Sequence, residues 1–154
     1  MNLSLRKVTI KDLSILYKWA NDKNVRANSI NKKKKSIDHH TKWLKKKLNS
    51  KNNFFYISQL NSIPVGVTRI EKKKNFGYLS YLVSKKFRKK GFGYIMLIKF
   101  INKIYKKFPR LKIKALVIKK NLASKKIFNK IGFKIYKTDK KIFYFQLTRT
   151  DLKQ

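Results

Sequence analysis

The chain has 154 residues, enough for one domain with a hydrophobic core and too few for two ordinary ones, so a single domain over 1–154 is expected. It has no cysteine, which excludes a disulfide framework, a thiolate zinc site and a cysteine nucleophile, and no metal is expected. Its formal net charge is +36, yet 42% of its residues are hydrophobic and 14% aromatic, so the charge must decorate a packed fold rather than a disordered chain.

"MNLSLRKVTI" lacks the apolar core of a signal peptide, and no later run approaches membrane-spanning length, so a cytoplasmic protein with no membrane partner is expected. "LSLRKV" alternates like a first strand, and "TIKD" opens a helix with Thr9 as cap and Asp12 at the third position. Leu13, Leu16, Tyr17 and Ala20 fall on one face of that helix, and Asn21 and Asp22 end it. A basic loop over 23–35 leads to Ser36, which caps a second helix carrying Ile37, His40, Trp43, Leu44 and Leu48.

"FFYISQL" and "IPVGVTRI" are rich in β-branched and aromatic residues and flank the turn residues Asn61 and Ser62, a hairpin pattern. After the polar turn "EKKKN", the strand "FGYLSYLV" feeds into a long helix from Tyr94 to Phe108, in which apolar residues recur at helical spacing. "KIKALVI" is a buried-type strand, "NLASKKIFNKI" a short helix ended by Gly132, and "FKIYKT" and "IFYFQLT" are two last strands around "DKK". The order is mixed α/β, without internal repeat or linker.

The lysine runs, among them 32–35, 45–47 and 72–74, are scattered rather than gathered in one stripe, and Asn, Ile, Phe and Tyr are abundant as A/T-rich codons favour. The charge reads as a solvated surface whose field concentrates anionic ligands, with no specific nucleic-acid partner expected. Gly91 and Gly93 stand where a helix begins, with unpaired N–H groups and the positive end of the dipole. Arg88-x-x-Gly91-x-Gly93 suits a pyrophosphate, with Lys89 and Lys90 adding charge, although a plain strand-to-helix connection has the same composition. The Gly-Lys-Ser/Thr ending of a P-loop and the third glycine of a dinucleotide fingerprint are missing.

"FRKKGFG" after "LSYLV", then "NLASKKIFNKIGF" after "KALVI", resembles the acetyl-CoA-binding core of the GCN5-related N-acetyltransferase (GNAT) superfamily. The resemblance implies an α/β GNAT fold: a mixed, mostly antiparallel central sheet of about seven strands, about four helices, and splayed central strands holding CoA. It implies an acetyl-CoA-dependent N-acetyltransferase with acetyl-CoA as cosubstrate. The pyrophosphate would lie on Arg88, Lys89, Lys90, Gly91, Phe92, Gly93 and Tyr94, and the pantetheine arm would bond backbone groups of Leu82 and Val83 like an added strand. An N–H there would polarise the thioester carbonyl. Asn121 would hold the cofactor from the far side, with Ser124 and Phe128 lining the arm; Asn121 as a helix cap and Phe128 as a core residue are the structural alternatives.

Acetyl transfer needs a neutral amine and often an acid for the departing thiolate. Phe128 stands where many relatives carry a tyrosine acid, so Tyr78, Tyr81 or Tyr136 would have to substitute, or the thiolate leaves unassisted. Glu71 can act as base through water or be an exposed strand-end carboxylate, and His40 is a second candidate base beside His39. The catalytic candidates are His40, Tyr78 and Glu71.

"WANDKNVRANSI", followed by "SIDHHTKWL", resembles the Trp-x-Asn-Asp-x-x-Val-Arg and His-x-x-Trp pair of acetyltransferases in bacterial surface-sugar pathways, including those that acetylate a UDP-linked 4-amino-4,6-dideoxy sugar on the way to pseudaminic acid. Trp19, Asn21, Asp22, Val25, Arg26, Ser29, His40 and Trp43 carry the match. It implies a small anionic amine acceptor: Trp19 or Trp43 stacks on a base or sugar, and Arg26 meets a phosphate bidentately, with Asn21 and His40 completing the site. In the structural alternative, Trp19 and Trp43 pack the two helices and Asp22 pairs with Arg26. Alternative functions are acetylation of a protein N-terminus, as on a ribosomal protein, and a nonenzymatic nucleic-acid-binding module; a monomer or homodimer is expected.

Overall fold

The computed structural model describes residues 2–154. In chain order it has β1 (Ser4–Lys7), α1 (Leu13–Ala20), α2 (Lys23–Ala27), α3 (Ile37–Asn49), β2 (Asn53–Leu60), β3 (Ile63–Lys73), β4 (Phe76–Val83), α4 (Phe92–Lys107), β5 (Lys112–Ile118), α5 (Leu122–Ile131), β6 (Lys134–Thr138) and β7 (Ile142–Leu147).

Local sequence accounts for most boundaries. Thr9 and Asp12 form a capping box around a single 3₁₀ turn that runs on into α1, and Arg6 clamps Asp12 with two hydrogen bonds of 2.7 and 2.9 Å. The Ser36 hydroxyl accepts from the His39 N–H and starts α3. Asn61 and Ser62 both take positive φ, as the tight β2–β3 hairpin requires, and Gly132 ends α5 with φ +113°. The stretch 23–35, expected as loop, instead begins with α2, because the Asp22 carboxylate accepts from the N–H groups of Asn24 and Val25. The described residues thus hold five α-helices rather than about four.

All seven strands join one sheet in the order β1-β2-β3-β4-β5-β7-β6, antiparallel everywhere except between β4 and β5. That parallel pairing lasts only from Phe76 opposite Lys112 to Tyr78 opposite Lys114. Beyond it β4 stays with β3 as far as Val83, and β5 stays with β7 as far as Ile118. The two central strands therefore part over Leu79–Val83 and 115–118, leaving facing backbone edges without ladder partners.

Helices cover both faces of this sheet. One core joins α4 and α5 to the strands through Leu79, Leu97, Phe100, Ile113, Phe128 and Phe145. The other seats α1 and α3 on β2 and β3 through Leu16, Trp19, Leu44, Phe55, Ile57 and Val67. Of the face expected for α1, Leu16 is fully covered and Leu13, Tyr17 and Ala20 are half-buried. The opening between β4 and β5 is consequently bordered by α4 and α5 on one side and by α1 to α3 on the other.

Candidate active site

The connection from β4 to α4 turns sharply: Lys89 has φ +59° and Gly91 φ +82°. Gly91, the N-cap of the sixteen-residue helix α4, has no side-chain cap, so the first N–H groups of that helix stand without intrahelical acceptors at its positive end. A Cβ built on Gly91 meets nothing within 4 Å, so the side facing out of this turn is open. Such a helix start, open at Gly91 and flanked by Lys89 and Lys90, suits a pyrophosphate.

The flanking side chains depart from expectation. Arg88 donates from Nε to the Val83 carbonyl at 3.0 Å and forms an ion pair with Asp22 at 2.7 Å. It braces the loop against α2, its guanidinium already engaged. Phe92 is buried against Phe87, Met96 and Leu3, a core plug rather than a ligand contact. Lys89 and Lys90 are exposed, and Tyr94 is half-buried beneath the Lys130 ammonium, 4.2 Å from its ring centre.

Across the gap, the Asn121 side chain accepts from the Ser124 N–H and caps α5, the structural alternative raised for it. Ser124 in turn meets the Tyr81 hydroxyl at 2.8 Å. Phe128 is 2% exposed and packs on Tyr81, Phe133 and Phe145, so it belongs to the core rather than to a lining of the gap.

On the other face a cavity of about 320 Å³ lies between the α1–α3 segment and β3–β4. Its wall includes Arg26, Lys35, His39, His40, Trp43 and Arg69, with Ser80, Tyr81 and Leu82 from the splayed strand, and holds no Asp or Glu. Of the five acceptor residues expected, Arg26, His40 and Trp43 reach this wall. Trp19 is instead a core residue, 8% exposed, and Asn21 exchanges two hydrogen bonds with the Lys35 backbone, at 2.7 and 2.9 Å. Arg26 is no free phosphate clamp: it donates to the carbonyls of Ala20, Asn31 and Lys33 and to the Ser29 hydroxyl, which pins the loop 28–33. Asp22 is paired with Arg88, not with Arg26.

His40 is 4% exposed, stacks on Trp43 and meets the tilted Tyr17 ring, and its buried Nε2 has no hydrogen-bond partner among the described residues. Burial, reinforced by His39 and Lys35, lowers its pKa below the ordinary histidine value, so the ring is neutral at physiological pH. Arg69 was not foreseen. It lies 5.5 Å over the Trp43 ring and is oriented by Asn53 and Glu71, and its one sequence signal is an arginine in the middle of an apolar strand.

The other two catalytic candidates do not reach either opening. Glu71 is held by Lys47 and Lys73 at 2.9 Å and by Arg69 at 3.2 Å. The Lys47 and Lys73 contacts, Lys47 first, pull its pKa down to about 2, too weak a base for an ammonium proton. Tyr78 pairs across from Glu71 at the closed end of the β4–β5 pairing, is 40% exposed and stands outside the acceptor-cavity wall.

An open sheet with two splayed central strands, a donor-rich helix start beside the gap and a second cavity meeting it define a two-substrate transferase site. Residues 2–134 match the family model described as an acetyltransferase (GNAT) domain. The fold is shared with the spermidine N-acetyltransferase of Vibrio cholerae in complex with CoA and spermine, at 13% identity and a TM-score of 0.83 over 97% of this chain and 96% of that one. The N-acetyltransferase PseH of Campylobacter jejuni is similar at 18% identity and a TM-score of 0.73 over 96% and 98%. AAC(6')-Ib in complex with ribostamycin and coenzyme A is similar at 20% identity and a TM-score of 0.82 over 98% and 96%. No curated protein sequence matches. The chain belongs to the GNAT acetyltransferase family, and it is an N-acetyltransferase with acetyl-CoA as its acyl donor.

Proposed function

We propose that this enzyme acetylates the amino group of a small anionic acceptor, a nucleotide-linked amino sugar of the UDP-4-amino-4,6-dideoxy type. The observation that carries this reading is the charge of the cavity beside the splayed strands: two arginines and a lysine, with no carboxylate in its wall. A polycation such as spermine, or an aminoglycoside, would meet only like charge there. An acceptor with phosphates would be attracted, and the Trp43 indole, backed by Arg69, offers a face for a base or sugar. The same positive surroundings depress the pKa of an incoming ammonium and favour the neutral amine that attacks.

In this reading acetyl-CoA lies in the β4–β5 gap with its pyrophosphate on the N–H groups of 89–94, and its carbonyl oxygen takes a backbone N–H near Leu82 or Val83. His40 Nε2 is the base on the acceptor side. The test is thiol release from acetyl-CoA in the presence of UDP- and dTDP-linked amino sugars, spermidine, an aminoglycoside and a peptide with a free N-terminus. Turnover of a nucleotide-linked amino sugar is expected; turnover of the peptide alone would move the assignment to protein N-terminal acetylation.

A further inference from the structure

We propose that the Tyr81 hydroxyl, held by Ser124 across the opening of the sheet, is the proton donor to the sulfur that leaves during acetyl transfer. Tyr81 stands on β4 three residues past Tyr78, the last residue paired with β5. Its oxygen is 2.8 Å from Ser124 Oγ on α5, so one hydrogen bond spans the region where the strand ladder is missing. Its ring lies edge-on to Phe128 at 5.8 Å, beside the position that lacks the tyrosine expected there from the sequence motif. A Cβ on Gly93 would come within 3.6 Å of Tyr81 Cε2, which sets the ring under the first turn of α4, and Tyr81 also lines the acceptor cavity. The side chain therefore borders the start of α4 and the opening of the sheet, while the strand that carries it forms part of the acceptor-cavity wall.

Its chemistry is suitable. Burial raises the phenol above its ordinary range, with the Ser124 hydrogen bond acting in the opposite sense, so the proton is present at neutral pH. Tyr78 and Tyr136 are 40% and 46% exposed, and Tyr136 packs against Tyr144 on the far side of β7 from β5. In the step itself the neutral amine attacks the thioester carbon, a C–N bond forms, and the C–S bond breaks with its electron pair going to sulfur. Tyr81 gives its proton to that sulfur and recovers one from solvent through Ser124, while the amine's proton passes to the base in the acceptor cavity and then to solvent. The products are the amide and the free thiol of CoA.

The proposal rests on the reading of the β4–β5 gap as the acetyl-CoA site, and its test needs no acceptor. Tyr81→Phe keeps the ring that packs on Phe128 and removes only the oxygen. Wild type and variant are each loaded with CoA, binding is measured by calorimetry, and the bound thiol is titrated by the ultraviolet absorbance of its thiolate. Both are expected to bind CoA with similar affinity, and the thiol should titrate about one unit higher in the variant, because the lost hydrogen bond no longer favours the thiolate. Desulfo-CoA should bind the two alike. With an accepted amine, kcat should fall roughly 100-fold with KM little changed. Identical thiol titration in two CoA-binding proteins overturns the proposal and leaves the cofactor site intact; failure of the wild type to bind CoA overturns both. Should Tyr81→Phe not fold, Ser124→Ala serves in its place, with a smaller upward shift expected and an unshifted titration again decisive against it.

Discussion

His40 combines the two properties a base in this cavity needs: a buried Nε2 without a partner among the described residues and a ring kept neutral by burial beside His39 and Lys35. Because its folded pKa lies below the unfolded value of about 6.5, the unfolded chain takes up a proton that folded His40 does not as pH falls through that window. Stability therefore declines there, and the acidic limb of kcat/KM should sit below pH of about 6.5 in wild type. Replacing His40 with Gln should lower kcat/KM by roughly 100-fold and abolish that limb; a variant with the wild-type profile would leave His40 as packing alone. Glu71 behaves oppositely. Its pKa of about 2, against 4.5 for a free glutamate, means that its ion pairs stabilise the fold fully above the unfolded value and lose that contribution as pH falls toward 2. Glu71→Gln should destabilise by roughly 1 kcal/mol at neutral pH by urea denaturation, with the wild-type margin gone in strong acid, and should leave the shape of the rate–pH profile unchanged. Loss of the acidic limb in Glu71→Gln would restore it as a base.

At the scale of elements, the start of α4 and the acceptor segment are mechanically joined. Asp22 caps α2 and holds Arg88, and Arg88 holds the Val83 carbonyl at the end of β4. Asp22→Ala should thus act at two sites. It loses the cap, about 1 kcal/mol, and should weaken acetyl-CoA binding in calorimetry although Asp22 itself lies outside the β4–α4 loop. Unchanged affinity would show that the brace is dispensable. Gly91 is a cleaner probe of the cradle, since a Cβ there meets open space but φ +82° strains an L residue by about 1–2 kcal/mol. Gly91→Val should remain folded and lose the thermal shift given by acetyl-CoA, because the added side chain stands in the open face of the turn. Arg26→Lys should free the loop 28–33 much as alanine does, since one ammonium cannot span the carbonyls of Ala20, Asn31 and Lys33.

For the whole molecule, the net charge of +36 is a field rather than a site. DNA binding should be sequence-independent and fall steeply with salt, since it would arise from counterion release; selective binding at physiological salt would require a dedicated interface. Acetyl-CoA at 100 times its Kd should stabilise the fold by about 2.7 kcal/mol, visible as a concentration-dependent rise in Tm. A nonsaturating rise shared by any polyanion would instead report surface charge.

Local sequence determined the elements because their signals act over a few residues: the Thr9 and Asp12 box, the Ser36 cap, the positive-φ pair Asn61 and Ser62, and the left-handed end at Gly132. The glycine junction and its place before a long helix were legible for the same reason. The short helix α2 was missed although its cap, Asp22, stood in plain view among basic residues. What only the tertiary structure decided is which partner each polar side chain takes. Arg26, Arg88 and Glu71 could each have faced a ligand, a carbonyl or one another, and sequence spacing cannot choose among partners up to 66 residues apart. Packing does choose, because a buried charge must be satisfied by whatever the fold brings within reach, and it left His40 Nε2 unsatisfied and carried Tyr81 to Ser124 across a gap that no local pattern records.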